Sequence, residues 1–357
     1  MKILKLLILA LLVVTSCKKD DPIDPIFEDK YGEGMYIVTD VGVNFYNYLD
    51  SFPQVENQIY NSVNNITLND PRKIKFYAGR AYILAKNYLS VVDLDSFKDL
   101  GTINGFINPV DFDFLSPSNR ILVADKDDAK AKIVDFDRME ITSDIETGDS
   151  TKPVFIISNS YKSFVLNGGG LSSDIKDSTI CSIEYKDNLV ELADFDGSLI
   201  VGDNPNSAVI SSSGNLKVLC KGVYESANST INTQASISDV NQYDNQVYST
   251  NLLSGIYNAQ NLVSNYDNSS CFFTAEGGIY RLNLNGLGVN LLESVDSDVL
   301  FSISESYPLN DSTVAYSDML YMNDLNIPNK VYKYNVNLSL FVDTIIVDGV
   351  VKNISVY

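Results

Sequence analysis

Histidine and tryptophan are both absent from this sequence of 357 residues. Without histidine the chain cannot form a Ser-His-Asp triad, a Cys-His pair or a zinc site with histidine ligands. Without tryptophan it lacks a common stacking surface for sugars and the Trp-Asp repeat signature. These absences leave an enzyme only carboxylate chemistry, such as glycoside hydrolysis, or the binding of Ca²⁺.

Basic residues are scarce: 26 lysines and arginines stand against 46 aspartates and glutamates, giving a formal net charge of -20 at pH 7. A surface this acidic repels phosphate backbones and anionic lipid headgroups. We therefore predict no nucleic-acid partner. The same charge favours a soluble, monomeric domain.

Cysteine occurs only four times, at Cys17, Cys181, Cys220 and Cys271, and no pair has metal-type spacing such as C-x-x-C. The last three lie in segments that read as strands. We predict that these three are buried free thiols that act as small apolar side chains. A disulfide or a reactive site is the alternative.

Long apolar runs are also missing, apart from Ile3–Val14, which Lys5 interrupts. This run is too short to cross a bilayer as a mature helix, and a lysine precedes it, as in an export signal. We predict a signal peptide over residues 1–16 and a protein that leaves the cytoplasm.

The apolar run ends in Val14-Thr15-Ser16-Cys17, which resembles the lipobox of bacterial lipoproteins. The resemblance implies cleavage before Cys17 and stable anchoring by several acyl chains on that residue. Lys18–Asp21 is similar to the signal that sends Bacteroidetes lipoproteins to the cell surface. We therefore expect a lipidated tether over residues 17–32 and an outer-membrane protein that faces outward. An ordinary secretory signal and a solvated linker are the alternatives.

Short alternating runs dominate the rest of the chain and indicate strands separated by clusters of Asn, Asp, Gly and Ser. Examples are "RILVAD" (Arg120 to Asp125) and "KVYKYNV" (Lys330 to Val336). No mature segment has sustained helical periodicity. The pattern predicts an all-β domain over residues 33–357.

The strands recur in groups of four at a spacing of about 47 residues, which is typical of propeller blades. The first strands of the groups are predicted to begin near Lys73, Val110, Val154, Ser207, Asn261, Leu300 and Asn353. A β-helix needs much shorter turns, and a sandwich does not repeat. The sequence therefore predicts a seven-bladed β-propeller of four-stranded antiparallel blades.

The two ends of the domain complement each other. "KNISVY" (Lys352 to Tyr357) reads as a first strand with nothing after it, while "GMYIVTD" (Gly34 to Asp40) reads as a second strand with nothing before it. We predict that they share one blade and close the ring, which removes open sheet edges.

Three segments resemble YncE-type propellers with YVTN repeats, in particular the surface lipoproteins of Bacteroidetes. They are Arg80–Ile103, Asn108–Asp125 and Val201–Gly222. The resemblance implies a protein for display or capture, accessory in some members to a TonB-dependent transporter of a small-molecule nutrient. It carries no ligand-binding residue over to this chain and implies no cofactor.

Two local motifs resemble binding sites, one for a metal ion and one for a phosphate group. Asp125, Asp127 and Asp128 form the densest acidic cluster and are weak metal candidates, because the loop lacks the glycine and the distal glutamate of a calcium site. A solvated acidic turn is the preferred interpretation. Gly168–Gly170 lacks the lysine and the helix of a phosphate-binding loop, so we predict a flexible loop between strands.

Three loops between second and third strands are predicted to be long: Asn167–Asp177, Lys221–Ser236 and Ser317–Lys330. Such loops share one face of a propeller with the loops between blades. The apolar residues within them form the candidate ligand face, made of Tyr224, Met319, Tyr321 and Met322. A local loop anchor is the alternative for each of them.

Two functions remain in competition. We predict a non-catalytic propeller that binds a nutrient, a transporter or an extracellular polymer. The alternative is a histidine-free hydrolase or lactonase that uses carboxylates or Ca²⁺. Three Asp-Ser-Thr triplets, starting at Asp149, Asp177 and Asp311, resemble an O-glycosylation sequon of Bacteroidetes, although chance explains such short patterns equally well.

Overall fold

The computed structural model of the chain describes residues 30–357 apart from 51, 116–118, 149–151, 161, 171–175, 186–192, 227, 285 and 311–312. Within these residues the chain forms 28 strands and one short helix. It begins with β1 (Met35–Thr39), β2 (Gly42–Tyr46), β3 (Val55–Glu56) and α1 (Ile59–Asn64). The all-β prediction is confirmed, and α1 is the one helix that the sequence pattern missed among the described residues.

Six blades follow, each a sheet of four antiparallel strands that pair in chain order. Blade 1 contains β4 (Lys73–Tyr77), β5 (Arg80–Leu84), β6 (Tyr88–Asp93) and β7 (Asp99–Asn104). Blade 2 contains β8 (Pro109–Leu115), β9 (Arg120–Asp125), β10 (Lys130–Asp135) and β11 (Glu140–Glu146). Blade 3 contains β12 (Phe155–Ser158), β13 (Lys162–Asn167), β14 (Thr179–Tyr185) and β15 (Ala193–Ile200).

The remaining blades continue the same order. Blade 4 contains β16 (Pro205–Ile210), β17 (Leu216–Cys220), β18 (Ser236–Asn241) and β19 (Gln246–Leu252). Blade 5 contains β20 (Gln260–Ser264), β21 (Ser270–Ala275), β22 (Gly278–Asn283) and β23 (Val289–Glu293). Blade 6 contains β24 (Leu300–Asn310), β25 (Thr313–Asp324), β26 (Ile327–Asn335) and β27 (Leu340–Ile346). The last strand is β28 (Val351–Val356), and every inner strand begins within two residues of its predicted position.

Blade 7 is assembled from both chain ends in the order β28-β1-β2-β3, as predicted. Met35 pairs with Val356, and Ile37 pairs with Ile354, in an antiparallel register. The backbone of Gly34 both donates to and accepts from Tyr357, at 3.3 and 3.1 Å. The ring is therefore closed by hydrogen bonds between the two ends, which leaves β1 without an open edge.

The core lies between the blades. Seven apolar clusters are present, one between each pair of neighbouring blades. Successive residues of a strand point to opposite faces, so Tyr36 and Val38 pack toward blade 1 while Met35 and Ile37 pack toward blade 6. This two-sided burial explains why the second strands are continuously apolar, whereas outer strands such as β11 are largely exposed.

The three cysteines after Cys17 are buried and free, as predicted. Burial raises the pKa of Cys220 and of Cys271 to about 12. Both thiols therefore stay protonated at neutral pH and serve as packing groups.

Among the described residues, no helix is long and apolar enough to cross a membrane.

Candidate functional site

The starts of the seven inner strands converge around the central channel and enclose a cavity of about 350 Å³, which we call the mouth cavity. The loops between blades and the loops between second and third strands lie at this end of the channel, because neighbouring strands in each blade are antiparallel. Every blade contributes lining residues, among them Lys73, Val110, Phe155, Ser207, Leu262, Leu300 and Asn353.

Arg72 and Lys352 share one carboxylate beside the mouth cavity. Lys352 Nζ lies 2.6 Å from Asp70 Oδ1, and Arg72 Nη2 lies 2.9 Å from Asp70 Oδ2. The hydrogen bond from Lys352 and the one from Arg72 lower the pKa of Asp70, although partial burial opposes this. These contacts join blade 7 to the entrance of blade 1 and fix two cations at the mouth.

Asp111 is fully buried behind the cavity and connects three blades. Lys73 Nζ lies 2.7 Å from Asp111 Oδ1, and the backbone N–H of Ile156 donates to Asp111 Oδ2 at 3.0 Å. Burial alone would raise the pKa of Asp111, but the charges of Lys73 and Lys75 outweigh it, so the pKa is lowered. Asp111 therefore stays ionised and holds Lys73 in place at the cavity wall.

Two uncharged side chains also form hydrogen bonds from one inner strand to the next. Asn353 Oδ1 accepts the backbone N–H of Ile74 at 3.1 Å, and Ser207 Oγ accepts that of Leu262 at 3.0 Å. These bonds occupy backbone donors that the blade ladders leave unpaired. The ring around the mouth is thus fixed by side chains of blades 2, 4 and 7.

The acidic cluster is not the solvated turn that its composition indicated. Asp125, at the end of β9, is fully buried and accepts the backbone N–H groups of Ile107 and Asn108 at 2.8 and 2.7 Å. Lys132 Nζ lies 2.8 Å from Asp125 and 2.7 Å from Asp128. Among the described residues no group of three or more His, Cys, Asp or Glu side chains is placed to hold a metal ion. Asp125 instead clamps the loop that enters blade 2.

Asp127 has a different environment at the same turn. It accepts a hydrogen bond from Asn108 Nδ2 at 2.8 Å and lies 3.6 Å from Lys152 Nζ. Its side chain is about half exposed. Only this member of the cluster resembles the predicted acidic turn.

The glycines of the Gly168–Gly170 segment permit close packing between blades. A Cβ on Gly168 would collide with the carbonyl group of Pro205, and one on Gly169 would collide with Lys152 and Lys126. The segment follows β13 and brings its backbone against the entrances of blades 3 and 4. Its glycines therefore have a packing role that sequence composition alone did not indicate.

Tyr224 lies in the predicted long loop between β17 and β18, at the mouth end of blade 4. It is half-buried, and its ring centroid is 5.2 Å from that of Tyr257 in the loop that enters blade 5. Tyr224 thus anchors this loop to the neighbouring blade. It does not line the mouth cavity.

The prediction of a loop over Ser317–Lys330 is wrong. β25 and β26 run through this segment and leave only a two-residue turn. Met319, Tyr321 and Met322 are therefore strand residues with at most 3% exposure, and they cannot form an exposed ligand face. Met319 and Tyr321 pack against blade 7, while Met322 packs against blade 5.

The polar residues of this segment explain the error. Asn323, at the end of β25, is fully buried, and its Oδ1 accepts the backbone N–H groups of Asp298 and Val299, both at 3.1 Å. It repeats the clamp that Asp125 makes in blade 2. Asn, Asp and Pro in a sequence usually indicate a turn, but here the neighbouring loop satisfies the polar group inside the fold. Cys17, Asp149 and Asp311 lie outside the described residues.

Several solved structures share this fold. A protein from Lactobacillus plantarum superposes with a TM-score of 0.65 at 9% identity, covering 91% of this chain and 99% of that chain. A candidate 6-phosphogluconolactonase from Bacteroides fragilis gives 0.62 at 11% identity, with coverages of 94% and 100%. The dihydro-heme d1 dehydrogenase NirN, in complex with DHE, gives 0.59 at 11% identity, with coverages of 94% and 77%.

At these identities the likeness shows the fold alone. No protein-family model matches the chain, and no curated protein matches it. Fold and cavity together define its class as a seven-bladed β-propeller whose central channel opens into a mouth cavity.

Proposed function

We propose that this chain is a surface lipoprotein of the outer membrane, similar to YncE-type propellers, that binds a ligand without transforming it. The mouth cavity carries the proposal, because all seven inner strands build it and its volume falls within the range of about 300–1,000 Å³ that is usual for small-molecule sites. Its ligand is a small-molecule nutrient, delivered to a TonB-dependent transporter. The lipid anchor at Cys17 attaches the propeller to the membrane.

The position of the N-terminal segment supports this arrangement. Gly34 is hydrogen-bonded to Tyr357 at one end of β28, whereas Lys352 and Asn353 line the mouth cavity at the other end. A tether that enters at Gly34 therefore joins the face opposite the mouth. In a lipid-anchored protein, attachment at that face leaves the mouth accessible to a ligand or a transporter loop.

The proposed lipid anchor and surface location are tested by replacing Cys17. Cys17→Ser is expected to abolish lipid labelling and to shift the protein from the membrane fraction to soluble or unprocessed forms, since no other residue offers a thiol at the cleavage site. Protease added to intact cells should cut the wild-type domain. A wild-type domain that resists protease on whole cells but is cut after lysis would contradict the surface position.

The binding role is tested by filling the mouth cavity with a larger side chain. Val154→Trp places a large side chain at the cavity wall, and it should abolish co-purification of the ligand from outer membranes extracted in mild detergent. Leu252→Trp, at a position 68% exposed on β19, is the matched control and should retain the ligand. Mass spectrometry of the bound fraction is the measurement, and equal recovery from both variants would refute a ligand at the mouth.

The same proteins test the hydrolase alternative, which gains support from the shared fold of the candidate lactonase alone. Purified wild-type protein is incubated with 6-phosphogluconolactone, and hydrolysis is followed by proton release. Turnover that Val154→Trp abolishes and Leu252→Trp retains would replace the binding role with a catalytic one at the same cavity.

A further inference from the structure

The charged side chains that line the mouth cavity are mostly basic, whereas the protein as a whole is acidic. Its charged lining residues are Arg72, Lys73 and Lys352, with Asp298 as the one carboxylate. The whole chain carries 46 acidic and 26 basic residues. Basic side chains therefore dominate the charged lining of the cavity, which favours the approach of an anion, while Asp70 and Asp111 offset part of this charge.

The carboxylates that pair with these cations do not line the cavity: Asp111 is buried behind its wall, and Asp70, with 36% of its side chain exposed, lies beside it. Asp111 has no exposed surface, whereas the side chain of Lys73 keeps 24% of its surface exposed. Lys352 keeps 31%, and its partner Asp70 does not line the cavity. The pairs therefore fix the positions of the ammonium groups and leave the cations at the cavity surface.

Each ammonium group retains unused donor capacity. An ammonium has three N–H donors, and within the described residues Lys352 Nζ donates only to Asp70 and Lys73 Nζ only to Asp111. Asn353 adds an amide, because its Oδ1 accepts from Ile74 while no partner of its Nδ2 is found in that part of the chain. Donors therefore predominate at the wall between blades 7 and 1.

Further basic residues lie outside the cavity, beyond Arg72. Arg72 Nη1 donates to Asn108 Oδ1 at 2.6 Å, and the carbonyl group of Asn108 accepts the backbone N–H of Lys126. Burial lowers the pKa of Lys126; the charge of Asp127 raises it, and the charges of Lys152 and Lys221 lower it further. Neither Lys126 nor Lys221 forms an ion pair within the described residues. Asp127 offsets the charge of these three lysines only in part, since it forms an ion pair with Lys152 alone within the described residues.

We propose that the mouth cavity binds a small anion, a compound that carries a carboxylate or phosphate group, whose charge is met by Arg72, Lys73 and Lys352. This inference rests on the proposed function, because it assigns the chemical class of the ligand to the same cavity. Charge-assisted hydrogen bonds from arginine and lysine are the usual contacts of both groups. The two groups share this chemistry, so the probes must separate them.

Isothermal titration calorimetry of the purified wild-type domain with inorganic phosphate, with citrate and with neutral glucose tests the proposal. We expect at least one of the two anions to bind with a dissociation constant below about 10 mM, which corresponds to a modest binding free energy, and glucose not to bind. Binding of phosphate alone or of citrate alone identifies the preferred group.

Lys352→Met is the decisive variant, since Asp70 keeps Arg72 as its partner and the fold should stay intact. It should weaken anion binding about tenfold, the effect of losing one charge-assisted hydrogen bond. Lys126→Met removes a lysine that has no ion pair with any residue the structure describes, and it should weaken binding about two- to threefold through the loss of a nearby charge. The matched control, Lys130→Met, removes a lysine that is ion-paired with Asp144 on the outer strand of blade 2 and should bind like the wild type.

Melting curves confirm that each variant is folded before titration. The proposal is overturned if neither anion binds, or if Lys352→Met binds as tightly as the wild type. A neutral ligand that co-purifies with the wild type and is lost in Val154→Trp would overturn the assignment of an anionic ligand, while the proposed binding function would stand. Failure of both experiments would remove the mouth cavity as a ligand site.

Discussion

A chain shortened by Asn353–Tyr357 is expected to aggregate or to melt far below the full-length protein. The deletion removes most of β28, and with it the partner of β1 and the buried side chain of Ile354. A buried aliphatic side chain contributes about 1.5–3 kcal/mol, and each net hydrogen bond contributes about 1 kcal/mol. The total loss is therefore several kcal/mol, and an unpaired edge of β1 becomes free to pair with other chains.

The effect should exceed the loss of blade 7 alone, because β28 also holds blade 1. Asn353 accepts from the backbone N–H of Ile74, Ser355 Oγ donates to the carbonyl group of Ile74 at 2.8 Å, and Tyr357 packs edge-on against Phe76. Differential scanning calorimetry and light scattering measure both consequences. The matched control deletes residues 18–27, which precede the described chain, and it should melt like the wild type. A C-terminal deletion that melts like this control would contradict ring closure as the source of stability.

The seven blades could be predicted from the sequence because each one contains the same local pattern of short apolar strands separated by polar turns. β9, for example, is the apolar run "RILVAD", and the next two strands follow after short polar turns. The shared blade was readable for a different reason: a lone first strand at one end complements the missing first strand at the other. Both inferences use patterns in which local sequence and fold agree.

The mouth cavity could not be predicted from the sequence, because its residues are far apart in the chain. Lys73 and Lys352 come together only because the ring places the start of β28 beside the start of β4. Each is a single lysine before or within an ordinary strand, with no motif around it. Aligning the blades over the first three residues of each inner strand would have collected these cations, since at least one of these positions lines the mouth in every blade.

The misassigned ligand face shows the limit of composition. Met319, Tyr321 and Met322 stand among Asp, Asn and Pro, which indicate loops. In the fold these polar residues are paired with neighbouring elements, as Asn323 is with the loop that enters blade 6. Only contacts between blades, which are distant in sequence, distinguish this buried strand from a surface loop.

Tyr321→Ala is expected to destabilise the protein by about 3–5 kcal/mol, the usual cost of truncating a large buried aromatic side chain. Tyr321 has no exposed surface and packs between blades 6 and 7. Its hydroxyl donates to Glu305 Oε1 at 2.6 Å, and Lys333 Nζ lies 2.5 Å from the other oxygen of Glu305. Burial raises the pKa of Tyr321, and Glu305 raises it further, so the hydroxyl stays protonated and keeps donating.

Three variants separate the two contributions of this side chain in urea denaturation. Tyr321→Phe keeps the ring and removes only the donor to Glu305, so it should cost about 1–3 kcal/mol. Tyr316→Ala is the matched control, because Tyr316 lies on the same strand with 71% of its surface exposed, and it should change stability by less than about 0.5 kcal/mol. Equal losses for Tyr321→Ala and Tyr316→Ala, or lost ligand binding at unchanged stability in Tyr321→Ala, would return Tyr321 to the exposed ligand face and reject its place between blades 6 and 7.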